Sequence, residues 1–211
     1  IQPHEVGKKK RKKSFEPKKF TRPLKRLSER DAGYFRRMFG VTEGELSSEG
    51  VKRINDGTPR VWHPVRNIQG YEIGGIARFY PWLAGESKWT GPKAISYPEV
   101  EGTWAHFVFA SQEPTKRITL VEDQISALRC ARFDDSCALL GTDIPFDLAT
   151  QLSQVYQEVI LMLDPDACST ALKHRQRLGL IFRNFQVVLL SKADPKDISH
   201  DELKETLREQ T

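Results

Sequence analysis

The fold follows from one stretch of the sequence, Val159-Ile160-Leu161-Met162-Leu163-Asp164-Pro165-Asp166, an apolar run that ends in two aspartates. An earlier run, residues 118–121, is also apolar and ends at Glu122. Short, almost continuous apolar runs are typical of strands that are buried on both faces, as in parallel sheets. We therefore predict two parallel strands, each with an acidic residue at its carboxyl end.

The sequence around these runs alternates between predicted strands and helices. Strands are predicted at residues 118–121, 136–140, 159–163 and 187–190, and helices at 124–132, 146–157 and 167–178. Helices of this length serve as crossovers between parallel strands, so the pattern predicts an α/β domain over residues 111–211 with a mostly parallel, Rossmann-like sheet and flanking helices. Functional residues of such sheets gather at the carboxyl ends of the strands.

The preceding region reads as a small α+β subdomain at residues 21–110. Two helices are predicted within residues 27–55, because Ser28 with Asp31 and Thr42 with Glu45 have the spacing of capping boxes. Their apolar faces would be formed by Phe35, Met38 and Phe39, and by Leu46, Val51 and Ile54. Segments 60–66 and 71–80, joined at residues 67–70, predict a β-hairpin.

Composition and charge narrow the class of protein. The chain has 211 residues, 38% of them hydrophobic, and no apolar run approaches the roughly 20 residues of a membrane helix. Three cysteines without a CxxC pair, and the absence of an apolar signal stretch, favour a reducing cytoplasm. The net charge of +5 is concentrated in the first 26 residues. We predict that residues 1–20 form a flexible basic arm, either a solvated linker or a contact for a polyanion.

The acidic residues themselves suggest a metal site. Neighbouring parallel strands lie about 5 Å apart, so Glu122, Asp164 and Asp166 should converge at one edge of the sheet. Carboxylate oxygens are the ligands that Mg²⁺ prefers. Each acid also precedes a predicted helix, where it could act as an N-cap instead.

Several short motifs occur in a specific order. The second half of the chain contains Leu120-Val121-Glu122, Ala138-Leu139-Leu140-Gly141-Thr142, Leu163-Asp164-Pro165-Asp166 and Lys192-Ala193-Asp194-Pro195-Lys196-Asp197. This succession resembles the TOPRIM domain of primases, topoisomerases and related nucleases. Upstream stand Arg66, Gln69-Gly70, Gly74-Gly75, Arg78, Gly91-Pro92-Lys93 and Tyr97-Pro98-Glu99, which look like the stretch that precedes TOPRIM in bacterial and phage primases.

The resemblance implies a two-lobed core that synthesises RNA primers on a single-stranded DNA template from ribonucleoside triphosphates, with Mg²⁺ or Mn²⁺ as cofactor and a replicative helicase as partner. It implies that Glu122, Asp164 and Asp166 are catalytic and bind the ions. One of Asp194 and Asp197 would complete the acidic rim. Nucleotide or DNA contacts would come from Arg66, Arg78, Lys88, Lys93, Lys192 and Lys196.

The chain departs from the family pattern in several places. Asp123 stands where the family has glycine, and Ser126 where it has a second acid; Cys168-Ser169 replace a common Ala-Gly. We expect Ser126 to lie one helical turn after Glu122 and to face the metal pocket. No zinc-ribbon spacing and no GxxxxGK[ST] loop occur in these 211 residues. The departures suggest a phage-encoded primase or an inactive descendant.

Two alternatives remain open at this point. A TOPRIM nuclease would use the same acids but not the upstream hairpin, whereas a topoisomerase would need a nucleophilic tyrosine in a recognisable context. A non-catalytic DNA-binding module of the replisome would keep the fold without the chemistry, as the loss of an acid at Ser126 would allow.

Overall fold

The structure, a computed structural model, describes residues 15–85, 88–110, 115–190 and 193–209. Within these residues the chain forms two five-stranded sheets with helices packed around them. None of the helices in the described ranges has the length and apolar character that crossing a bilayer requires.

Two helices begin where the capping residues predict, and together with the first sheet they form what we call the first lobe. Helix α1 spans Glu29–Phe39 and helix α2 spans Glu43–Ser48, and each begins with a complete capping box. The predicted face of the second helix is wrong, because the helix ends at Ser48 and Ile54 belongs to a strand. Met38 was expected in the core but is 55% exposed.

The first sheet is antiparallel throughout. It consists of β1 (Leu24–Lys25), β2 (Lys52–Ile54), β3 (Arg60–Arg66), β4 (Glu72–Phe79) and β5 (Ala94–Pro98) in sequential order. The predicted hairpin is β3 and β4, and the short helix α3 (Pro81–Ala84) follows it. Gly75 is needed on β4 because a Cβ atom there would lie 2.2 Å from the Trp62 ring.

The second sheet has the predicted mostly parallel topology. Its strand order is β10 (Asn184–Val187), β9 (Glu158–Leu161), β7 (Arg117–Val121), β8 (Asp135–Ala138) and β6 (His106–Val108), of which only β6 runs antiparallel. Four helices connect or follow these strands: α4 (Gln124–Cys130), α5 (Phe146–Val155), α6 (Cys168–Leu178) and α7 (His200–Arg208).

Two boundaries in the second sheet differ from the sequence interpretation. The last strand was predicted at 187–190 but lies at Asn184–Val187, because an edge strand is only half buried and does not need an apolar run. Strand β6 falls inside the predicted 21–110 subdomain but pairs with β8 of the second sheet. The division of the chain into domains therefore stays a prediction.

Alternate residues of the central strands enter two cores. Leu120 and Leu161 pack with α5 and α6 on one face of the sheet, whereas Val121 and Ile160 pack on the other face. That second core also contains Phe35 and Leu46 of the first lobe, so both sheets share it. A shared core fixes the two lobes against each other, which in turn defines the space between them.

The end of the predicted basic arm is attached to the first sheet. The backbone amide of Lys18 donates to the Pro98 carbonyl at 2.8 Å, and the Phe20 ring stacks on Trp62 with centroids 4.0 Å apart. Residues 18 and 20 thus contact the first sheet, and the flexibility of the arm stays a prediction. Residues 1–14, which carry most of the arm's lysines, lie outside the described part of the chain.

Candidate active site

A pocket of about 320 Å³ lies between the two sheets, at the carboxyl ends of β7 and β9. The second sheet contributes four carboxylates, and the first sheet contributes basic and small side chains. The residues that line the pocket include Arg78, Lys93, Glu122, Asp123, Leu140, Gly141, Asp164, Asp194 and Lys196. The parallel topology thus brings together the acids that the sequence separates by about forty positions.

Glu122 and Asp164 face each other across the two strand ends. The backbone amide of Asp164 donates to Glu122 Oε1 at 3.1 Å. Asp164 begins a single 3₁₀ turn, but its carboxylate makes no capping hydrogen bond. Asp123, by contrast, caps α4, with Oδ1 accepting from the amides of Ile125 at 2.9 Å and Ser126 at 3.1 Å. The side chain of Asp164 is therefore not an N-cap, and the residue that caps α4 is Asp123 rather than Glu122.

Lys196 reaches into this group of carboxylates. Its Nζ lies 3.1 Å from Asp123 Oδ2 and 3.8 Å from Asp164 Oδ2, and it also donates to Asp194 Oδ2. The side chain of Lys196 is only 15% exposed, so these ion pairs are poorly screened by solvent. We call Glu122, Asp123, Asp164 and Asp194 the acidic cluster.

The pKa values of the cluster record this crowding of charge. Burial, together with the charges of Glu122 and Asp194, raises the pKa of Asp164 to about 7 although Lys196 opposes the shift. Burial also raises the pKa of Glu122, with a contribution from Asp166. Burial would raise the pKa of Asp123 as well, but Arg78 and Lys196 lower it overall. At Asp164, burial and the neighbouring carboxylates therefore outweigh the ammonium group of Lys196.

The pKa of Lys196 is shifted the other way. Burial would lower it, but the carboxylates of Asp123, Asp194 and Asp164 raise it above the usual range for a lysine. The side chain therefore stays an ammonium at neutral pH, which the ion-pair geometry requires.

A buried arginine positions the loop that carries Asp194 and Lys196. Arg129 of α4 is only 3% exposed, and its guanidinium donates to the carbonyl of Pro195 at 3.0 Å and to that of Ile198 at 2.6 Å. Sequence reasoning missed this residue. The available signal was an arginine in a helix without any other charged residue, where a buried charge must find partners.

The lining of the pocket also includes a strained backbone position, Leu140, which follows β8. Leu140 has a φ of 58°, in the left-handed region that favours glycine, and its amide donates to the Glu122 carbonyl at 2.9 Å. Such a conformation costs on the order of 1–3 kcal/mol and persists where the surroundings fix it. The contacts around Leu140, including this hydrogen bond, therefore hold Leu140 and Gly141 beside the acidic cluster.

The basic side of the pocket comes from the first sheet. Arg78 on β4 and Lys93, just before β5, both line the cavity, as the resemblance implies. Arg78 also lowers the pKa of Asp123. The pocket thus has carboxylates on one wall and two cations on the other.

Other candidate residues lie away from this pocket. The Arg66 guanidinium pairs with Glu49 at 2.8 Å and does not line the cavity. Lys88, Asp166 and Asp197 are exposed and do not line it either, although Asp166 is close enough to raise the pKa of Glu122. Of the two acids that the sequence left open, the structure brings Asp194 to the pocket. Lys192 lies outside the described residues.

The expectation for Ser126 is wrong. Its side chain is completely buried, it does not line the pocket, and its hydroxyl oxygen has no hydrogen-bond partner in the structure. Helical spacing from Glu122 does not apply because α4 begins only at Gln124, after the Asp123 cap. A carboxylate at this position would be buried rather than hydrated.

The donor chemistry of the pocket fits a divalent cation. Asp164 Oδ1 is buried and has no hydrogen-bond partner in the structure, and hard carboxylate oxygens are suitable ligands for Mg²⁺ or Mn²⁺. Across the described ranges, however, no three His, Cys, Asp or Glu side chains are grouped closely enough to hold a metal ion as they stand. Lys196 instead lies where the carboxylates converge.

The two sheets and their helices have the fold of a primase catalytic core, a mixed α/β fold that contains a TOPRIM domain. The catalytic domain of DnaG primase bound to ssDNA matches with a TM-score of 0.56 and 22% identity, over 83% of this chain and 61% of that chain. The primase fragment of the bacteriophage T7 primase-helicase protein matches with a TM-score of 0.58 and 14% identity, over 82% and 71%.

The Aquifex aeolicus primase, in its zinc-binding and RNA polymerase domains, matches with a TM-score of 0.57 and 22% identity over 77% of this chain. The present chain spans only 41% of that structure and 61% of the DnaG catalytic domain. No protein-family model and no curated protein matches the sequence. At identities of 14–22%, this similarity shows the fold of the chain and does not by itself assign an activity.

Proposed function

We propose that this chain is the catalytic core of a DNA primase, which joins ribonucleotides into short RNA primers on single-stranded DNA. The observation that carries the proposal is the pocket itself, where Glu122 and Asp164 meet at the strand ends opposite Arg78 and Lys93. The primase-type fold supports it, because the solved structures with this fold include a DnaG primase catalytic domain bound to ssDNA.

In this proposal the chain's own residues divide the work by charge. Asp164, Asp194 and Glu122 would hold the divalent ions, which when bound align the reacting groups and neutralise the charge that develops on the transferred phosphate. Arg78 and Lys93 would bind the triphosphate from the opposite wall. Glu122, whose pKa is raised, would orient the primer 3′-hydroxyl or accept its proton.

A primer-synthesis assay tests the proposal. Labelled ribonucleotides, single-stranded DNA and either Mg²⁺ or Mn²⁺ should give short template-dependent RNA. Asp164→Asn should fold but lose the product, and Asp201→Asn, at an exposed position on α7, serves as the matched control. Asp166→Asn should also reduce activity, because it removes the negative charge that Asp166 places near Glu122. Full synthesis by both Asp164→Asn and Asp166→Asn would refute the site.

One observation favours a second candidate function, a DNA-binding replisome module without catalysis. Lys196 pairs with three carboxylates, and no ready group of three ligands is present in the described ranges. Such a module would bind single-stranded DNA and give no RNA with either metal. A TOPRIM nuclease would instead shorten the DNA template in the same reaction, so one labelled-template gel separates the three.

The remaining biological context belongs to the same proposal. The substrates would be ribonucleoside triphosphates and a single-stranded DNA template, and the partner a replicative helicase. We place the protein in the cytoplasm of a bacterium, where a phage-encoded replication system would also operate. Support for the DNA template and for the helicase comes from the neighbours, which include an ssDNA-bound catalytic domain and a primase-helicase fragment.

A further inference from the structure

Lys196 makes more close ionic contacts than any other described cation near the pocket. Its Nζ pairs with Asp123 at 3.1 Å and with Asp164 at 3.8 Å, and it donates to Asp194. Two of these carboxylates, those of Asp164 and Asp194, are the ones we assign to the divalent ions. One ammonium group therefore contacts oxygen atoms that a bound ion would need.

The third carboxylate differs from the other two. Asp123 uses Oδ1 to cap α4 and Oδ2 to pair with Lys196, so both of its oxygens are committed. Asp164 has an unpaired Oδ1 and a longer, 3.8 Å contact through Oδ2. Lys196 is thus attached closely to Asp123 and Asp194 and loosely to Asp164, while only Asp123 has both oxygens committed.

Arg129 keeps the ammonium in reach of the cluster. Its two hydrogen bonds to the carbonyls of Pro195 and Ile198 fix the backbone on both sides of Lys196. The flexible lysine stem can then move its charge by a few ångströms while the loop stays in place.

We propose that Lys196 is a built-in counter-cation of the acidic cluster, which neutralises it in the ion-free protein and which a divalent ion displaces from Asp164 and Asp194. The biological meaning of this inference rests on the proposed function, but its physical content concerns only ion binding. Two cations that share the same oxygens repel each other, so loss of the ammonium must strengthen binding of the ion.

Binding of Mn²⁺ alone, followed by electron paramagnetic resonance of the free ion, tests this competition without any nucleotide or DNA. Lys196→Met keeps the length of the side chain and removes its charge, and we expect it to bind Mn²⁺ roughly tenfold more tightly, the scale on which a neighbouring charge changes a carboxylate equilibrium. Lys196→Arg should stay near the wild-type affinity. Lys173→Met is the matched control and should leave the Mn²⁺ affinity unchanged, because Lys173 is exposed on α6 and does not line the pocket.

A second measurement uses the wild-type protein and does not depend on how a variant folds. Reductive methylation of lysines, read by mass spectrometry, should modify Lys196 more in MnCl₂ than in EDTA, with Lys93 as the internal reference. Equal or weaker Mn²⁺ binding by Lys196→Met, no Mn²⁺ binding by either protein, or unchanged methylation of Lys196 would overturn the inference.

Mn²⁺ affinity and primer synthesis can change independently, so the counter-cation role of Lys196 and the proposed primase activity can fail separately. Tighter Mn²⁺ binding by Lys196→Met in a protein that makes no primers would support the counter-cation and refute the primase activity. If the wild-type protein makes primers and Lys196→Met binds Mn²⁺ with the wild-type affinity, the primase activity would be supported and the counter-cation role of Lys196 refuted.

Discussion

The backbone amide of Asp164 donates to the Oε1 atom of Glu122 at 3.1 Å, although the two residues are 42 positions apart in the chain. This hydrogen bond joins the carboxyl ends of β7 and β9 and orients one carboxylate of the acidic cluster. The Glu122 carboxylate thus has two roles. One of its oxygens accepts a structural hydrogen bond, and its negative charge serves the proposed chemistry.

Glu122→Gln separates these two roles. The amide oxygen can still accept from Asp164, so the variant should keep its folded stability, whereas primer synthesis should fall on the order of 100-fold because the negative charge is lost. Glu122→Ala should lose the activity and also about 1 kcal/mol of stability with the hydrogen bond. Thermal unfolding and the primer assay measure both effects. Full activity in Glu122→Gln would show that the charge is dispensable.

Arg129→Met should loosen the loop that carries Lys196. The substitution leaves the carbonyls of Pro195 and Ile198 without their donor, which should cost about 1–3 kcal/mol of unfolding free energy. Limited proteolysis should then cut the chain within residues 193–198. Arg132→Met is the control, because Arg132 bonds instead to Glu45 and the Gly40 carbonyl. Equal cleavage of that loop in both variants would contradict the positioning role of Arg129.

Gly75→Ala should destabilise the first sheet. A Cβ atom at this position would lie 2.2 Å from Cζ2 of Trp62, so we expect a loss of about 1–3 kcal/mol from overpacking. Gly33→Ala is the matched control: it is an interior position of α1 with no atom within 4 Å, and it should gain about 0.5–1 kcal/mol. Denaturant unfolding measures both. Similar stabilities for the two variants would mean that Trp62 can move aside.

His63 should make the protein sensitive to acid. Burial, with the charges of Arg78 and His106, lowers the pKa of His63 to about 3 from 6.5, and its Nε2 lies 2.9 Å from the Tyr80 hydroxyl. Between these two pH values the unfolded chain binds a proton that the folded chain does not. Stability from this group is therefore complete above pH 6.5 and is lost as the pH falls toward 3.

The measurement compares His63→Gln with the wild-type protein across that range. The glutamine can still bond to Tyr80 but does not titrate, so the stability difference should change by up to about 1.4 kcal/mol per pH unit. His200→Gln, at an exposed position, controls for the loss of an imidazole. A pH-independent difference between His63→Gln and wild type would show that His63 is protonated in the fold.

The sequence predicted most of the fold because several patterns agreed. Both capping boxes, the β3–β4 hairpin and the crossover helices follow from local spacing and from apolar runs. The edge strand β10 was misplaced because Asn184 and Gln186 lie in it, and a half-buried edge tolerates polar residues. Local patterns thus locate buried strands better than edge strands.

The site was only partly predictable. Glu122 and Asp164 could be found because strand ends converge, but the choice between Asp194 and Asp197 depends on a loop whose course Arg129 fixes from a distant helix. The orientation of Ser126 was misjudged because an Asp123 cap shifts the start of α4. The salt bridge of Arg66 with Glu49 could not be predicted, because the two residues are distant in the sequence.

The stacking of Phe20 on Trp62 has a consequence for solubility. Strand β5 lies at the edge of its sheet, where the Lys18 amide donates a hydrogen bond to the Pro98 carbonyl at 2.8 Å. The Phe20 ring covers the indole of Trp62. A chain shortened to begin at residue 21 would expose both a free strand edge and an aromatic surface. Such an edge is a template for pairing between molecules, so this short segment protects the protein from self-association and aggregation.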